Sequence, residues 1–262
     1  RVRRSKFHPS SWGCIGLMDL VHYSMNLLAL VICIIMGALV LGTNVHRLSN
    51  RAFVFFSLVI GFWLICRIRI IKSTEIAEWT FWIRQAFASA LLIPAAANLL
   101  RITIAHPDQP NKTLFKDALP WFIASTSFAI LCQTPWVVES VHLSPNGTPE
   151  PNFALPGLVL CITLFAVAVI GLTASFVRSL KNAAGLQRLE LQFVMLGYSL
   201  GIGFGFFTSL VLPAFEATAN ARQLAPFGVV ILNGWVAYGI ATRRIMHVSA
   251  VIRRCATFAI LV

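Results

Sequence analysis

Within the stretch EWTFWIRQAF a single arginine, Arg84, stands inside an otherwise apolar run. If that run enters a membrane near Glu78, Arg84 lies roughly 9 Å along it, at about 1.5 Å of rise per residue. An arginine at the bilayer centre costs on the order of 2.5 to 3.5 kcal/mol on insertion scales, whereas near an interface its long stem carries the guanidinium back to water. Two roles are open to it. Arg84 is an interface anchor, or it joins Arg67, Arg69 and Lys72 at the same end of the helices to line an extracytoplasmic pocket, with Glu78 or Glu139 as its ion-pair partner. The cations would suit an anionic small ligand, and the Phe, Trp and aliphatic side chains around the outer loop would suit an apolar one. Asn26, Gln85, Asn98 and Asn233 read as hydrogen-bond partners between helices rather than as ligand contacts.

Motifs for other chemistry do not occur. The sequence has no GxxxxGK[ST] and no HExxH, and GIGFG lies in an apolar segment with no strand before it, so its glycines read as packing residues. There is no GxSxG and no aligned set of carboxylates of the kind that carries protons or cations through a membrane. His8, His22, His46, His106, His142 and His247 are scattered, with no ligand-like pair at helical spacing, so no metal and no cofactor are expected. The six cysteines lack CxxC spacing and read as buried free thiols. The chain is expected not to be an enzyme in itself.

The elements that must position these residues follow from composition. Hydrophobic residues make up 58% of the chain and charged residues only 11%, against about a quarter charged in soluble domains. The apolar residues gather in runs of roughly the 20 residues that cross a bilayer core as helix, without the period-two alternation of a barrel strand. The spans are read as Val21 to Leu41, Ala52 to Ile71, Trp79 to Ile104, Leu119 to Leu131 with extension on either side, Gly157 to Val177, Leu191 to Leu212, and Pro226 to Ile240. The expected fold is all-α, a polytopic membrane bundle of seven transmembrane helices, with CATFAILV as the start of a truncated eighth.

In such a protein the net charge of +12 reports topology before it reports a nucleic-acid partner, and no nucleic acid is expected. One side collects Arg47, Arg51, Arg101, Lys112, Lys116, Arg178, Lys181, Arg188, Arg243, Arg244, Arg253 and Arg254. The other holds Arg1, Arg3, Arg4, Lys6, Arg67, Arg69, Lys72 and Arg222. The bias places the amino terminus outside and the carboxyl end in the cytoplasm. CQTPWVVESVHLSPNGTPEPNFALPG contains Glu139 and Glu150 but no Lys or Arg, which assigns it outside as a loop. Residues 1–17 read as a basic leader, with Met18 as a candidate native start, and the first span is too long for a cleaved signal.

Three local features refine this plan. In KSTEIAE, Ser73 or Thr74 is available as a helix cap, with Glu75 and Glu78 favourable in the first turn. Gly197, Gly201 and Gly205 recur every four residues, forming a smooth face that lets another backbone come close. At the exit of the seventh span, Arg243 and Arg244 mark the cytoplasmic boundary, and Ile245 and Val248 begin an apolar face in a connector that continues through 249–262.

AFVFFSLVIGFWLICRI followed by WIRQAFASALLIPAAANLL resembles the second and third helices of the seven-helix amino-terminal region of bacterial membrane histidine kinases. QRLELQFVMLGYSLGIGFGFFTSLVLPAF is similar to that family's sixth helix, and YGIATRRIMHV to the exit that closes the region. Gly239 stands where the family usually has alanine, and His247 where an acidic residue is common. The resemblance covers 18–248 and implies a sensor in the bacterial inner membrane, a homodimer in the way such kinases dimerise, that takes in a signal and hands it to a cytoplasmic kinase or cyclase output domain absent from this chain. A small transporter or an accessory membrane subunit is the alternative, and Pro94 with Asn98 in the third span is the hint for transport.

Overall fold

A computed structural model of the chain describes residues 12–107, 109–143, 149–206, 208 and 224–240. In chain order these residues form α1 (Trp12–Thr43), α2 (Leu48–Lys72), α3 (Ile76–Ala105), α4 (Asn111–Leu131), β1 (Val138–Leu143), β2 (Pro149–Phe153), α5 (Leu155–Asn182), α6 (Gly185–Phe206) and α7 (Ala225–Ile240). The apolar runs take up helix because a membrane core offers backbone N–H and C=O groups no water, so each segment closes its own hydrogen bonds. Five helices are long and apolar enough to cross a bilayer: Leu20–Thr43 within α1, α2, α3, Lys112–Leu131 within α4, and α5. The architecture is that of a helical membrane bundle.

The first five predicted spans fall within these five helices, whereas the sixth and seventh match no helix of membrane-spanning length and hydropathy among the described residues. The fourth extends toward its amino end, where Pro110 precedes the first turn of α4. The sixth follows α6 to Phe206 and then, Thr208 apart, leaves the described residues; the seventh corresponds to α7. α1 already begins at Trp12, so the boundary drawn at residue 17 falls inside a helix. Residues 1–11, the exit residues Arg243, Arg244, Ile245 and Val248, and the connector 249–262 lie outside the described residues.

α3 is the central helix. Its span is 67% buried, against 17% for those of α4 and α5, and it packs on α2, α4, α5, α6 and the strands. Ala95, Ala96 and Ala97 are fully enclosed, and small side chains of this kind let neighbouring helices approach closely where packing, rather than water exclusion, drives association. The main core unites Phe53, Phe56, Ile60 and Leu64 of α2 with Leu172 and Phe176 of α5, Leu191 and Tyr198 of α6, and Leu232 and Val236 of α7.

The connection expected as an irregular outer loop contains a two-stranded antiparallel hairpin, so the chain is not helical throughout. Val141 faces Pro151 and His142 faces Glu150, with an irregularity between Val138 and Ser140. Val137, Val138 and Val141 are buried against Trp79 and Ile83 of α3 and against Cys132 and Cys161. The cap between α2 and α3 also differs from expectation. Ser73 ends α2, its hydroxyl donating to the Arg69 carbonyl at 2.8 Å, and Glu75 occupies the N-cap of α3 without a side-chain cap bond. Glu78 lies in the first turn as anticipated.

Candidate functional site

The cations singled out in the sequence do stand at the hairpin end, yet they turn to different neighbours. Arg67 is half-buried, donates from Nε to Asn26 Oδ1 of α1 at 3.2 Å, and lies over the Trp63 ring at 5.1 Å. The exposed Arg69 lies over Trp82 of α3 at 5.6 Å, and the exposed Lys72 over Tyr23 of α1 at 4.6 Å. An ammonium or guanidinium over an aromatic face gains about 0.5 to 1 kcal/mol at exposed sites. The Arg67–Asn26, Arg69–Trp82 and Lys72–Tyr23 contacts fasten α2 to α1 and α3; they do not converge on one pocket.

Arg84 pairs with neither Glu78 nor Glu139. It donates from Nη1 to the Gln133 carbonyl at 3.0 Å and from Nη2 to the Val138 carbonyl at 2.7 Å. One guanidinium thereby closes the turn after α4 onto the first residue of β1. Beside it Gln85 Nε2 donates to Gln133 Oε1 at 2.9 Å, and Trp79 Nε1 donates to the Ile70 carbonyl at 3.0 Å. Glu78 is exposed, and Glu139 accepts from Asn152 Nδ2 across the hairpin at 3.5 Å. Through these two bonds Arg84 holds backbone, while its buried Nε has no hydrogen-bond partner among the described residues.

The glycines are brought together with α7. A Cβ built on Gly197 would stand 2.9 Å from the Trp235 Cβ and 3.2 Å from the Leu232 carbonyl oxygen; one built on Gly201 would stand 2.7 Å from the Leu232 Cβ and 3.3 Å from the Gly228 carbonyl oxygen. From the other side, a Cβ on Gly239 would collide with the Cβ of Phe193. As the α6 positions rise from 193 to 201, their α7 partners fall from 239 to 228, so the two helices run antiparallel at backbone-close range. A Cβ on Gly205 would meet no described residue within 4 Å, so the described seam runs from Phe193 to Gly201.

Each helix of the seam is tied elsewhere by a buried polar group. Asn233 of α7 accepts from the Ser57 hydroxyl of α2 at 3.1 Å and donates to Cys33 Sγ of α1 at 3.2 Å. At the mouth of α6, Glu190 is almost wholly buried and both carboxylate oxygens lie 2.7 Å from Arg47 Nη2, in the only ion pair among the described residues. Asn50 next to it donates to the Val40 and Asn44 carbonyls at 2.9 Å, closing the end of α1. Gln187 Nε2 donates to the Ile104 and Ala105 carbonyls at 3.0 and 2.6 Å, closing the end of α3.

Of the four neutral polar residues picked out in the sequence, Asn26, Gln85 and Asn233 bridge separate elements, whereas Asn98 accepts from Arg101 within α3 at 3.0 Å. Sequence reasoning passed over Glu190, Arg47, Asn50 and Gln187. For Glu190 a signal existed: a carboxylate entering an apolar span demands a partner, and Arg47 is among the cations assigned to that same side.

No family model matches the chain, and no curated protein matches it.

Proposed function

We propose that the chain is the input part of a bacterial membrane signalling protein. It would cross the inner membrane seven times, amino end outside, and pass an extracytoplasmic or membrane signal through α6 and α7 to a cytoplasmic kinase or cyclase output domain. The reading rests on the resemblance of residues 18–248 to the seven-helix region of histidine kinases, and one structural observation carries it further. The helix nearest the exit, α7, meets α6 along glycines with almost no side chain between them, while a single asparagine ties it to α1 and α2. A seam of that kind admits two packings related by a small slide or rotation, and a ligand that binds one packing better shifts the population toward it.

The experiment is a fusion of a histidine-kinase output domain after Val262, with Gly197→Cys and Val236→Cys set across the seam. A Cβ on Gly197 lies 3.3 Å from the Val236 Cγ2, a spacing that a disulfide can close. Oxidation should lock the seam and change autophosphorylation in isolated membranes, and reduction should restore it. Equal autophosphorylation in the locked and reduced states would overturn the reading.

A further inference from the structure

The geometry points to an anionic phospholipid site between α3 and α5, at the membrane face opposite the hairpin. A cavity of about 330 Å³ opens there, with Arg101 and His106 on the α3 side and Ser175, Arg178, Ser179 and Asn182 on the α5 side. Arg101 is positioned by its own helix and by α5: Nε donates to Asn98 Oδ1 at 3.0 Å and Nη1 to the Ser179 hydroxyl at 2.6 Å. Its Nη2 makes no hydrogen bond among the described residues. The exposed Arg178 faces the same space and repels Arg101, with Asp117 of α4 as the opposing negative charge.

Two guanidiniums around one polar cavity, with Asp117 the one carboxylate among the described residues that acts on Arg101, leave an excess of positive charge that a phosphodiester would neutralise. Helix carboxyl ends repel anions, but at α3 the last carbonyls are already occupied by the Gln187 amide. The arginines are therefore not consumed in capping that helix.

The second observation separates a lipid from a free anion. Arg178 also closes an apolar groove of about 510 Å³ along α5, lined among the described residues by Val169, Ile170, Thr173, Ala174 and Val177 and ending at Lys181. From Ile170 to Arg178 the helix rises about 12 Å, enough for the upper part of an acyl chain whose phosphate reaches Arg178. Basic pockets between membrane helices are the recurrent receptors of anionic headgroups, and here the pocket and the acyl groove share one arginine. The site does not depend on the signalling role, since it would hold lipid whether or not α6 and α7 move.

Native mass spectrometry of the full chain, released from detergent with equal amounts of phosphatidylglycerol and phosphatidylcholine, tests it. The wild type should retain phosphatidylglycerol in preference, and inorganic phosphate at the same concentration should not displace it. Arg178→Gln should lower that retention about fivefold, the size expected for one basic residue at an anionic surface. Lys112→Gln, an exposed charge at the same face but outside the cavity, should leave it unchanged. Phosphatidylglycerol should also raise the Tm of the wild type and not that of Arg178→Gln. Equal retention of the two lipids by the wild type, displacement by phosphate alone, an unaffected Arg178→Gln or an equal loss in Lys112→Gln would each overturn the site.

Discussion

The two ends of this bundle are held together by different means. At the hairpin end long side chains reach backbone: Arg84 to the Gln133 and Val138 carbonyls, Trp79 to the Ile70 carbonyl, with Arg69 and Lys72 resting on aromatic rings at the surface. From the other end into the middle of the bundle α6 and α7 meet almost without side chains, and at that end a buried carboxylate locks the mouth of α6 onto the connection between α1 and α2. Flexible stems tolerate displacement of what they hold. A glycine seam and a buried ion pair do not deform by degrees; they are made or broken, which is what a two-state element requires.

The largest effect expected from breaking this contrast is at Glu190. Glu190→Leu leaves Arg47 unpaired beside the core and should lower stability by about 3 kcal/mol, the lower edge for breaking a buried pair because Arg47 keeps some contact with water. Removing both charges with Arg47→Met should recover most of that loss, read as Tm in detergent. Next comes Arg84→Met, which should cost about 2 kcal/mol through two charge-assisted bonds to carbonyls and should expose the 133–138 segment to proteolysis. The same cleavage in Arg84→Met and wild type would remove the anchoring role. Gly201→Leu should cost about 1 to 3 kcal/mol by overpacking, whereas Gly205→Leu, whose Cβ would meet no described residue within 4 Å, should leave Tm within experimental error. The smallest effect is at Asn233→Leu, about 1 kcal/mol for an interhelical hydrogen bond in a membrane. A larger loss there than at Glu190 would reverse the ranking of the ties.

Much of the fold was legible because a bilayer imposes a simple grammar, in which apolar length gives helix. The hairpin was not. VESVHL and PEPNF carry glutamate and proline, both poor in strands, and the pairing becomes favourable only once Val137, Val138 and Val141 find Trp79 and Ile83. Asn146-Gly147 between them is a hairpin-turn signal that the reading of this stretch as a loop did not use. For the site, residue type was legible and partner was not. Arg84 was recognised as out of place, but an arginine whose two Nη groups meet carbonyls, its buried Nε having no hydrogen-bond partner among the described residues, leaves no complementary charge in the sequence to find. The glycine spacing located the face of α6, and the contacts with α7 show which described glycines lie against it: Gly197 and Gly201 meet Leu232, Trp235 and Val236.

The central claim, that the α6–α7 seam carries the signal, is tested most directly by autophosphorylation of the kinase fusion in membranes, with Gly201→Leu compared against Gly205→Leu. Both add the same side chain to the same helix, one against Leu232 of α7 and one where no described residue lies within 4 Å. The account predicts a changed output for Gly201→Leu and a wild-type output for Gly205→Leu at equal membrane assembly. Wild-type output from both, or the same change in both, would contradict it.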